Sequence, residues 1–303
     1  MELWPPIFIV AILLEVLVIR SSKFKSNHGV LLLSCLGLSL FLSACSLDYR
    51  YYDARKTSSY SLDFSDQSTQ AEEVSLSSNN HKIYGVLIHA KSGNTTSVPT
   101  IMYFHGDDKD IDKYVPRLDD LYPLDMNIFI FDFQGYGKSE GSPSLSAIKQ
   151  NSEDALIYLK TRTDVIDPDR MIYYAFSIGA VFALDLATRV QMPKVLITES
   201  IPASSDQSVR QNLKLGIPGS FFFDETFDNV DLIRKITCPI LMFHGDHDQT
   251  LSYADHAVPL FNAAPSPKVT YTVKGAGHSN LIDTLGASTY RKDIQDFLTD
   301  QGI

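Results

Sequence analysis

The sequence predicts an α/β fold in which a doubly wound, mostly parallel sheet is preceded by an antiparallel hairpin. Five compact apolar runs recur along the chain, and runs without polar alternation are typical of strands that are covered on both faces. These runs cover residues 101–104, 128–131, 171–176, 195–198 and 240–243. Helical patterns alternate with the runs, which implies right-handed crossovers between parallel strands. Ligand chemistry is then expected beyond the carboxyl ends of the strands.

The remaining elements follow in chain order. Residues 73–77 and 82–91 are short β-leaning runs around Asn79-Asn80, a dipeptide that tolerates left-handed backbone, so they predict the opening hairpin. A last strand is predicted at 269–273, where apolar and polar residues alternate. The helical patterns cover residues 148–159, 178–190 and 290–298, and the first of them follows Ser144 as its expected cap.

Composition and charge exclude several classes of protein. The chain has 303 residues, 44% hydrophobic and 20% charged, which excludes collagen-like, low-complexity and wholly disordered proteins. Its 36 acidic and 26 basic residues give a net charge of −10, and a field of that sign repels a nucleic-acid backbone. No nucleic-acid partner is therefore expected.

The first 45 residues do not fit a soluble core. Two apolar stretches, 7–19 and 30–44, flank the basic segment 20–25, and neither reaches the ~18 apolar residues of a membrane-spanning helix. A basic segment, a short apolar run and small residues are the three parts of a secretory signal. The second stretch ends at Leu42-Ser43-Ala44-Cys45, which resembles the lipobox of bacterial lipoproteins. That resemblance implies that the thiol of Cys45 is acylated and that the chain is cut before it.

Three segments follow from these patterns. Residues 1–45 are the signal and membrane-targeting segment, 46–70 a Ser-, Tyr- and Asp-rich flexible tether, and 71–303 the α/β domain. Two or three acyl chains anchor a protein stably, so we expect a lipoprotein that is tethered to a membrane without spanning it. The expected location is the cell envelope, facing the periplasm or the exterior. Because Ser46 rather than Asp follows the cysteine, the resemblance implies the outer membrane where the organism has one. Residues 1–17 are either surplus to the signal or a first membrane helix.

Residues 175–179 carry the strongest motif, Ala-Phe-Ser-Ile-Gly, directly between a predicted strand and a predicted helix. This is the context of a nucleophile elbow, in which a sharp turn lifts a Ser hydroxyl above the sheet and needs small residues two positions to either side. Ala175 and Gly179 meet that requirement, so Ser177 is the candidate nucleophile. The alternative is that Ser177 caps the following helix.

A Ser hydroxyl needs a general base that a third group orients, and in this context the acid and the His follow the Ser along the chain. Two later strand ends offer them: residues 244–248, His-Gly-Asp-His-Asp, and His278. Asp246 and Asp248 are both carboxylates near the same strand end, so the residues alone leave the acid open between them. For His278, the alternative is a histidine of a surface loop.

These motifs resemble the α/β-hydrolase superfamily over residues 72–298. The resemblance is to its single-domain branch, which is related to serine aminopeptidases, dienelactone hydrolases and small esterases. That branch carries H-G-x-x-D after the penultimate strand and G-x-x-H before the last helix. Matching position by position implies that Asp248 is the triad acid and His278 the base.

Acyl transfer also needs N–H donors for the developing oxyanion. One is expected from Ile178, the residue after the nucleophile. The second is implied by the resemblance, because His105-Gly106-Asp107 resembles the family's H-G-x loop and assigns the N–H of Asp107. An inward carboxylate would oppose the forming charge, so the side chains of Asp107 and Asp108 are expected to face solvent.

Residues 131–141 resemble the family's D-x-R-G-x-G-x-S-x-G loop, with Gln134 in place of the usual Arg, and that loop is scaffold in the family. A dinucleotide-binding loop is disfavoured because the G-x-G-x-x-G spacing and the following helix are missing. The spacing of His and Cys offers no zinc set, so neither a metal nor another cofactor is expected. Between 198 and 240 the chain has room for one or two short helices, and Phe221 to Phe223 there either line an acyl pocket or pack on the sheet.

The sequence thus predicts a lipid-anchored serine hydrolase that cleaves carboxylic esters through an acyl-enzyme, with a small ester or acyl compound as its substrate. Esters are favoured because the short segment over the site leaves it open. The alternatives are a peptidase that acts on short peptides and a non-catalytic binding module on the same fold. The presence of all three reactive groups at separate strand ends argues against the second alternative.

Overall fold

The computed structural model describes residues 52–93, 95–213, 218–221 and 223–303. The predicted signal 1–45 with its lipobox Cys45, and residues 46–51 of the predicted tether, lie outside the described residues. Within the described part of the chain, no helix is long and apolar enough to cross a membrane.

The strands are β1 (Asp53–Ala54), β2 (Ala71–Ser78), β3 (His81–Ile88), β4 (Thr100–Phe104), β5 (Asp108–Lys109), β6 (Asn127–Phe131), β7 (Met171–Phe176), β8 (Val195–Glu199), β9 (Ile240–Gly245) and β10 (Lys268–Val273). Eight of them form the main sheet, in the order β10-β9-β8-β7-β4-β6-β3-β2. Neighbours from β10 to β6 are parallel, whereas β3 is antiparallel to both β6 and β2. The predicted fold class, including the antiparallel hairpin, is confirmed.

The helices are α1 (Val115–Leu121), α2 (Leu145–Thr161), α3 (Gly179–Arg189), α4 (Ser205–Leu213), α5 (Asn229–Ile233), α6 (Val258–Ala263), α7 (Leu281–Leu285) and α8 (Ala287–Asp300). The hydroxyl of Ser144 accepts a hydrogen bond from the N–H of Ala147 at 3.1 Å, so it caps α2 as predicted. At the hairpin turn, Asn79 and Asn80 both have positive φ angles, of 51° and 60°, as the sequence indicated.

The core lies on both faces of the sheet, and β7 shows the arrangement. Tyr173 and Ala175 point to one face, where they pack in a cluster with residues of α2, α3 and α6. Ile172, Tyr174 and Phe176 point to the other face, where the cluster includes residues of α1, α7 and α8. Every residue of β7 is buried, which explains its uninterrupted apolar sequence.

Residues 52–70 lie against the domain, although their composition indicated a flexible tether. β1 pairs with β5, and the N–H of Asp53 donates to the carbonyl of Asp107 at 3.0 Å. Further along, Asp112 accepts hydrogen bonds from the N–H groups of Ser61 and Leu62, and the ring of Phe64 is buried. Because backbone groups and isolated side chains make these contacts, they leave no periodic pattern in the sequence.

Candidate active site

The turn between β7 and α3 presents Ser177 at the carboxyl end of the sheet. Ser177 has a φ of 52°, a left-handed conformation that a non-glycine residue adopts at a cost. A Cβ atom at position 179 would lie 2.2 Å from the carbonyl oxygen of Phe104, so only glycine lets α3 pass this close to β4. The N-cap residue of α3 is Ile178 and no side chain caps the helix. The hydroxyl of Ser177 therefore does not serve as the helix cap.

Two long-range hydrogen bonds join the three predicted residues. Nε2 of His278 lies 3.0 Å from Oγ of Ser177, and Nδ1 of the same ring lies 2.8 Å from Oδ2 of Asp248. The ionised carboxylate can only accept, so Nδ1 carries the proton and Nε2 is left to accept from the hydroxyl. Hydroxyl, imidazole and carboxylate form one continuous line, with separations in sequence of 101 and 30 residues.

Asp248 is almost fully buried and well supplied with donors. Its Oδ1 accepts the N–H groups of Thr250 at 2.9 Å and Leu251 at 2.8 Å, and Nε2 of His244 lies 3.4 Å from Oδ2. Burial opposes ionisation of this carboxyl. The hydrogen bond and charge of His278, together with the Leu251 N–H, outweigh burial and hold the pKa of Asp248 below its usual range.

Asp246, the other candidate acid, makes its hydrogen bonds to residues other than His278. Its Oδ1 accepts from the ring of His247 at 2.6 Å and from the N–H of Gly275 at 2.6 Å. The His247 hydrogen bond lowers the pKa of Asp246, which is exposed. The choice that the residues alone left open thus falls on Asp248, as the family resemblance implied.

The loop after β4 lies beside His278. Gly106 passes so close to β7 that a Cβ atom there would meet Cδ1 of Phe176 at 3.0 Å. His105 is fully buried against the ring of Phe133, with ring centroids 3.8 Å apart, and burial lowers its pKa to about 3. A neutral His105 donates from Nδ1 to the carbonyl of Gly106 at 2.6 Å, which holds the start of the loop that carries Asp107.

The side chains of Asp107 and Asp108 do not both face solvent, so that expectation is wrong. Both residues are partly buried and line a cavity of about 230 Å³ together with His278. Burial raises the pKa of Asp107, and the charge of His278 opposes the increase. Asp108 pairs with Lys113 at 3.5 Å, and Lys113 also lines the cavity.

The cavity walls are rich in acidic groups. Further lining residues include Tyr114, Arg117, Asp120, Phe176 and Asp283. The charge of the Arg117 guanidinium is balanced by Glu199, because Nη1 of Arg117 donates a hydrogen bond to Oε1 of Glu199 at 2.6 Å. Lys113 is already paired with Asp108, so the cavity as a whole disfavours an anionic ligand.

The loop after β6 is a buried scaffold around Asp132. Oδ1 of Asp132 accepts the N–H of Ile111 at 2.9 Å, and Oδ2 accepts the N–H of Lys138 at 3.2 Å and the phenol of Tyr60. A Cβ atom at position 137 would lie 1.7 Å from Oδ2 of Asp132, so glycine is required there. Burial raises the pKa of Asp132 to about 7.

Sequence reasoning missed Glu199, Arg117 and Tyr60. Glu199 directly follows the apolar run 195–198, so its place at a strand end was a signal that could have found it. Arg117 and Tyr60 carry no local motif. Of the aromatic segment, Phe223 is buried in the core on the α3 face, and Phe222 lies outside the described residues. Within the described ranges, no group of three His, Cys, Asp or Glu side chains could hold a metal ion.

Comparison with known proteins agrees with this architecture. The alpha/beta hydrolase domain-containing protein 17B of Xenopus tropicalis is 30% identical over 203 residues, which is 67% of this chain and 67% of the relative. An uncharacterized protein of Escherichia coli K12, YfhR, is 27% identical over 222 residues, 72% of this chain and 76% of the relative. The structure of an esterase from Pyrococcus furiosus matches with a TM-score of 0.63 at 19% identity, over 77% of this chain and 92% of that one. No family model matches the chain.

A mostly parallel sheet with a nucleophile elbow and reactive groups at its carboxyl edge defines a hydrolase of the α/β type. With a relative 30% identical over two thirds of both chains, this chain belongs to the α/β-hydrolase superfamily.

Proposed function

We propose that the chain is a lipid-anchored serine hydrolase that cleaves carboxylic esters through an acyl-enzyme. One observation carries the proposal: the unbroken hydrogen-bonded line from Ser177 through His278 to Asp248. Each contact lies within the distance at which a proton can pass between nucleophile and base. The chain brings these groups together from three strand ends, and the lowered pKa of Asp248 keeps its carboxylate available to orient His278.

In the first half of the reaction, Oγ of Ser177 attacks the carbonyl carbon while Nε2 of His278 takes the hydroxyl proton. The carboxylate of Asp248 holds the ring in the tautomer with Nδ1 protonated and stabilises the imidazolium as it forms. The N–H groups of Ile178 and Asp107 are the donors assigned to the oxyanion. His278 then returns the proton to the leaving alkoxide, and the acyl group stays on Ser177.

In the second half, a water molecule takes the place of the alcohol. His278 removes a proton from the water, the hydroxide attacks the acyl carbon, and the acid leaves as Ser177 regains its proton. The reaction consumes one ester and one water and yields one acid and one alcohol. The triad is restored at the end of each turnover.

The cavity beside His278 supports a small ester with a neutral body. Its volume of about 230 Å³ holds a small organic group, and its acidic walls disfavour a carboxylate on the substrate. We therefore expect neutral esters to be cleaved faster than dicarboxylic half-esters of the same length.

A fluorophosphonate probe tests the nucleophile. The wild-type chain is expected to be labelled at Ser177, and Ser177→Ala to remain unlabelled. Ser200→Ala is the matched control, because Ser200 also has a positive φ at the end of the neighbouring strand yet lies outside the triad. Equal labelling of wild type and Ser177→Ala would refute the assignment.

Nitrophenyl esters of increasing chain length, measured beside aminoacyl anilides, test the substrate class. The proposal expects kcat/KM to be larger for the esters throughout. Faster cleavage of the anilides would favour a peptidase. Labelling by the probe without turnover of either substrate series would favour a non-catalytic binding module.

The lipid anchor has its own experiment. Metabolic labelling with palmitate should mark the wild-type chain and should be lost in Cys45→Ala, because residues 42–45 resemble a lipobox whose cysteine is the acylated residue. Cys238→Ala is the control, since Cys238 is buried and burial raises the pKa of its thiol to about 12. Label that persists in Cys45→Ala would contradict the anchor and leave the hydrolase proposal untouched.

A further inference from the structure

A carboxylate outside the triad is fully buried next to the nucleophile. Glu199 ends β8, and its backbone carbonyl accepts the N–H of Ser177 at 3.0 Å. Its Oε2 accepts the phenol of Tyr174 at 2.6 Å, and that phenol is hydrogen-bonded in turn to Tyr290. Leaving a carboxylate uncompensated in such a place is costly, and a cation beside it offsets that cost.

That cation is Arg117, which reaches the site from α1. Its Nη1 donates to Oε1 of Glu199 at 2.6 Å, across 82 residues of sequence. Its Nη2 donates to the carbonyl of Ser279 at 2.8 Å, across 162 residues. A planar guanidinium can satisfy two acceptors in fixed directions, which a lysine ammonium does less well.

The same guanidinium also covers an aromatic ring that lies next to the imidazole of His278. Its central carbon lies 4.0 Å from the centre of the Phe176 ring, and that ring lies 5.4 Å from the imidazole of His278. Phe176 directly precedes Ser177, and Ser279 directly follows His278. One side chain therefore contacts the sequence neighbours of both reacting groups.

We propose that Arg117, held in place by Glu199, is a positioning residue that keeps the loop of His278 at hydrogen-bonding distance from Ser177. The inference rests on the proposed function, since it assigns a role in that reaction. Buried ion pairs often add little net stability, whereas they define geometry through their directed hydrogen bonds. Loss of the guanidinium would let the loop and Phe176 move, and small displacements of a catalytic base are costly in rate.

Steady-state kinetics of Arg117→Met test the proposal, with a nitrophenyl ester as the substrate. We expect kcat to fall about 10- to 100-fold while KM changes less than about 2-fold, because the substrate is still bound and the base is misplaced. Guanidinium ion at a low, non-denaturing concentration should restore part of kcat. Arg117→Lys keeps the charge beside Glu199 and should be intermediate.

The control is Arg162→Met. Arg162 directly follows α2 and donates from Nη1 and Nη2 to the two carboxylate oxygens of Glu72, at 2.9 and 3.1 Å. It is a partly buried arginine in a short ion pair, and neither residue lines the cavity beside His278. It should keep the kcat of the wild type. Melting temperatures are measured for all variants, and Arg117→Lys provides the kinetic comparison where Arg117→Met does not fold.

Two results would overturn the proposal: an unchanged kcat in Arg117→Met and Arg117→Lys, or a rise in KM alone, which would make Arg117 a substrate contact. Fluorophosphonate labelling separates these results from failure of the proposed function. Wild-type chain that the probe does not label would remove the serine hydrolase itself. Labelled wild type with an equally fast Arg117 variant would remove only the positioning role.

Discussion

Asp248 and Asp132 are the same side chain in two similar places, with opposite electrostatics. Both follow strands of the main sheet, both are buried, and both accept two backbone N–H groups. Burial opposes ionisation of each. Asp248 also faces the imidazole of His278, which can carry a compensating positive charge, and its pKa is lowered. Asp132 instead accepts a hydrogen bond from the phenol of Tyr60, which cannot carry a positive charge. Burial then raises the pKa of Asp132 to about 7.

Burial alone therefore does not assign a role to a carboxylate in this fold. The side chain that is hydrogen-bonded to Oδ2 decides whether the carboxylate can stabilise a cation during a reaction. Asp248 is suited to that role, whereas Asp132 holds together the loops after β5 and β6 and the segment that contains Tyr60.

Replacement of each carboxylate by its amide should produce the largest difference. Asp248→Asn is expected to lower kcat about 10⁴-fold, because an amide neither favours the productive tautomer nor stabilises the imidazolium. Asp132→Asn should keep kcat within about 10-fold, since it does not touch the reacting groups. Ester hydrolysis under saturating substrate measures both. Asp246→Asn is the exposed control and should keep the kcat of the wild type. Equal losses of kcat in Asp248→Asn and Asp132→Asn would contradict the different roles of the two carboxylates.

The pH dependence of stability should differ in sign between the two sites. The native pKa of Asp132, about 7, lies above its unfolded value of 3.8, so its contribution is fully present below 3.8 and is lost as the pH rises through 7. The native pKa of Asp248 lies below 3.8, so its contribution is present above 3.8 and is lost as the pH falls through the native pKa. Asp132→Asn should therefore remove an alkaline loss of stability, and Asp248→Asn an acid loss.

Urea unfolding of the wild type and both variants, across about pH 3 to 8, measures this difference. Curves that run parallel for wild type and Asp132→Asn would show that Asp132 does not titrate with a raised pKa. The pH dependence of Asp246→Asn serves as the reference for an exposed carboxylate.

Removal of the Tyr60 hydroxyl beside Asp132 should have the smallest effect. Tyr60→Phe is expected to cost about 1 to 2 kcal/mol of unfolding free energy above pH 7, where Asp132 is ionised and loses a donor. The loss should shrink at lower pH, where the carboxyl is protonated. Ser58→Ala, an exposed change in the same segment, is the control. If the loss of unfolding free energy is the same at all pH values, the contribution of Tyr60 does not depend on the ionisation of Asp132.

The segment 52–70 shows where sequence patterns stop being informative. The strands and helices of the domain bury continuous or periodic apolar faces, so their residues predict them. This segment docks through Tyr60, the N–H groups of Ser61 and Leu62, and the single buried ring of Phe64. Such contacts depend on partners 50 or more residues away and leave no local period.

By itself, the sequence determined the fold class, the turn that presents Ser177 and the strand ends that carry His278 and the two candidate acids. Local sterics and burial set those features, and both leave marks in adjacent residues. The residues alone left Asp246 and Asp248 open and the family resemblance implied Asp248, but the contact of Asp248 with His278 is a tertiary feature, as is the contact of Arg117 with Glu199 and Ser279. Those contacts depend on how separate loops converge in space, because hydrogen bonds and charges act over a few ångströms regardless of distance along the chain.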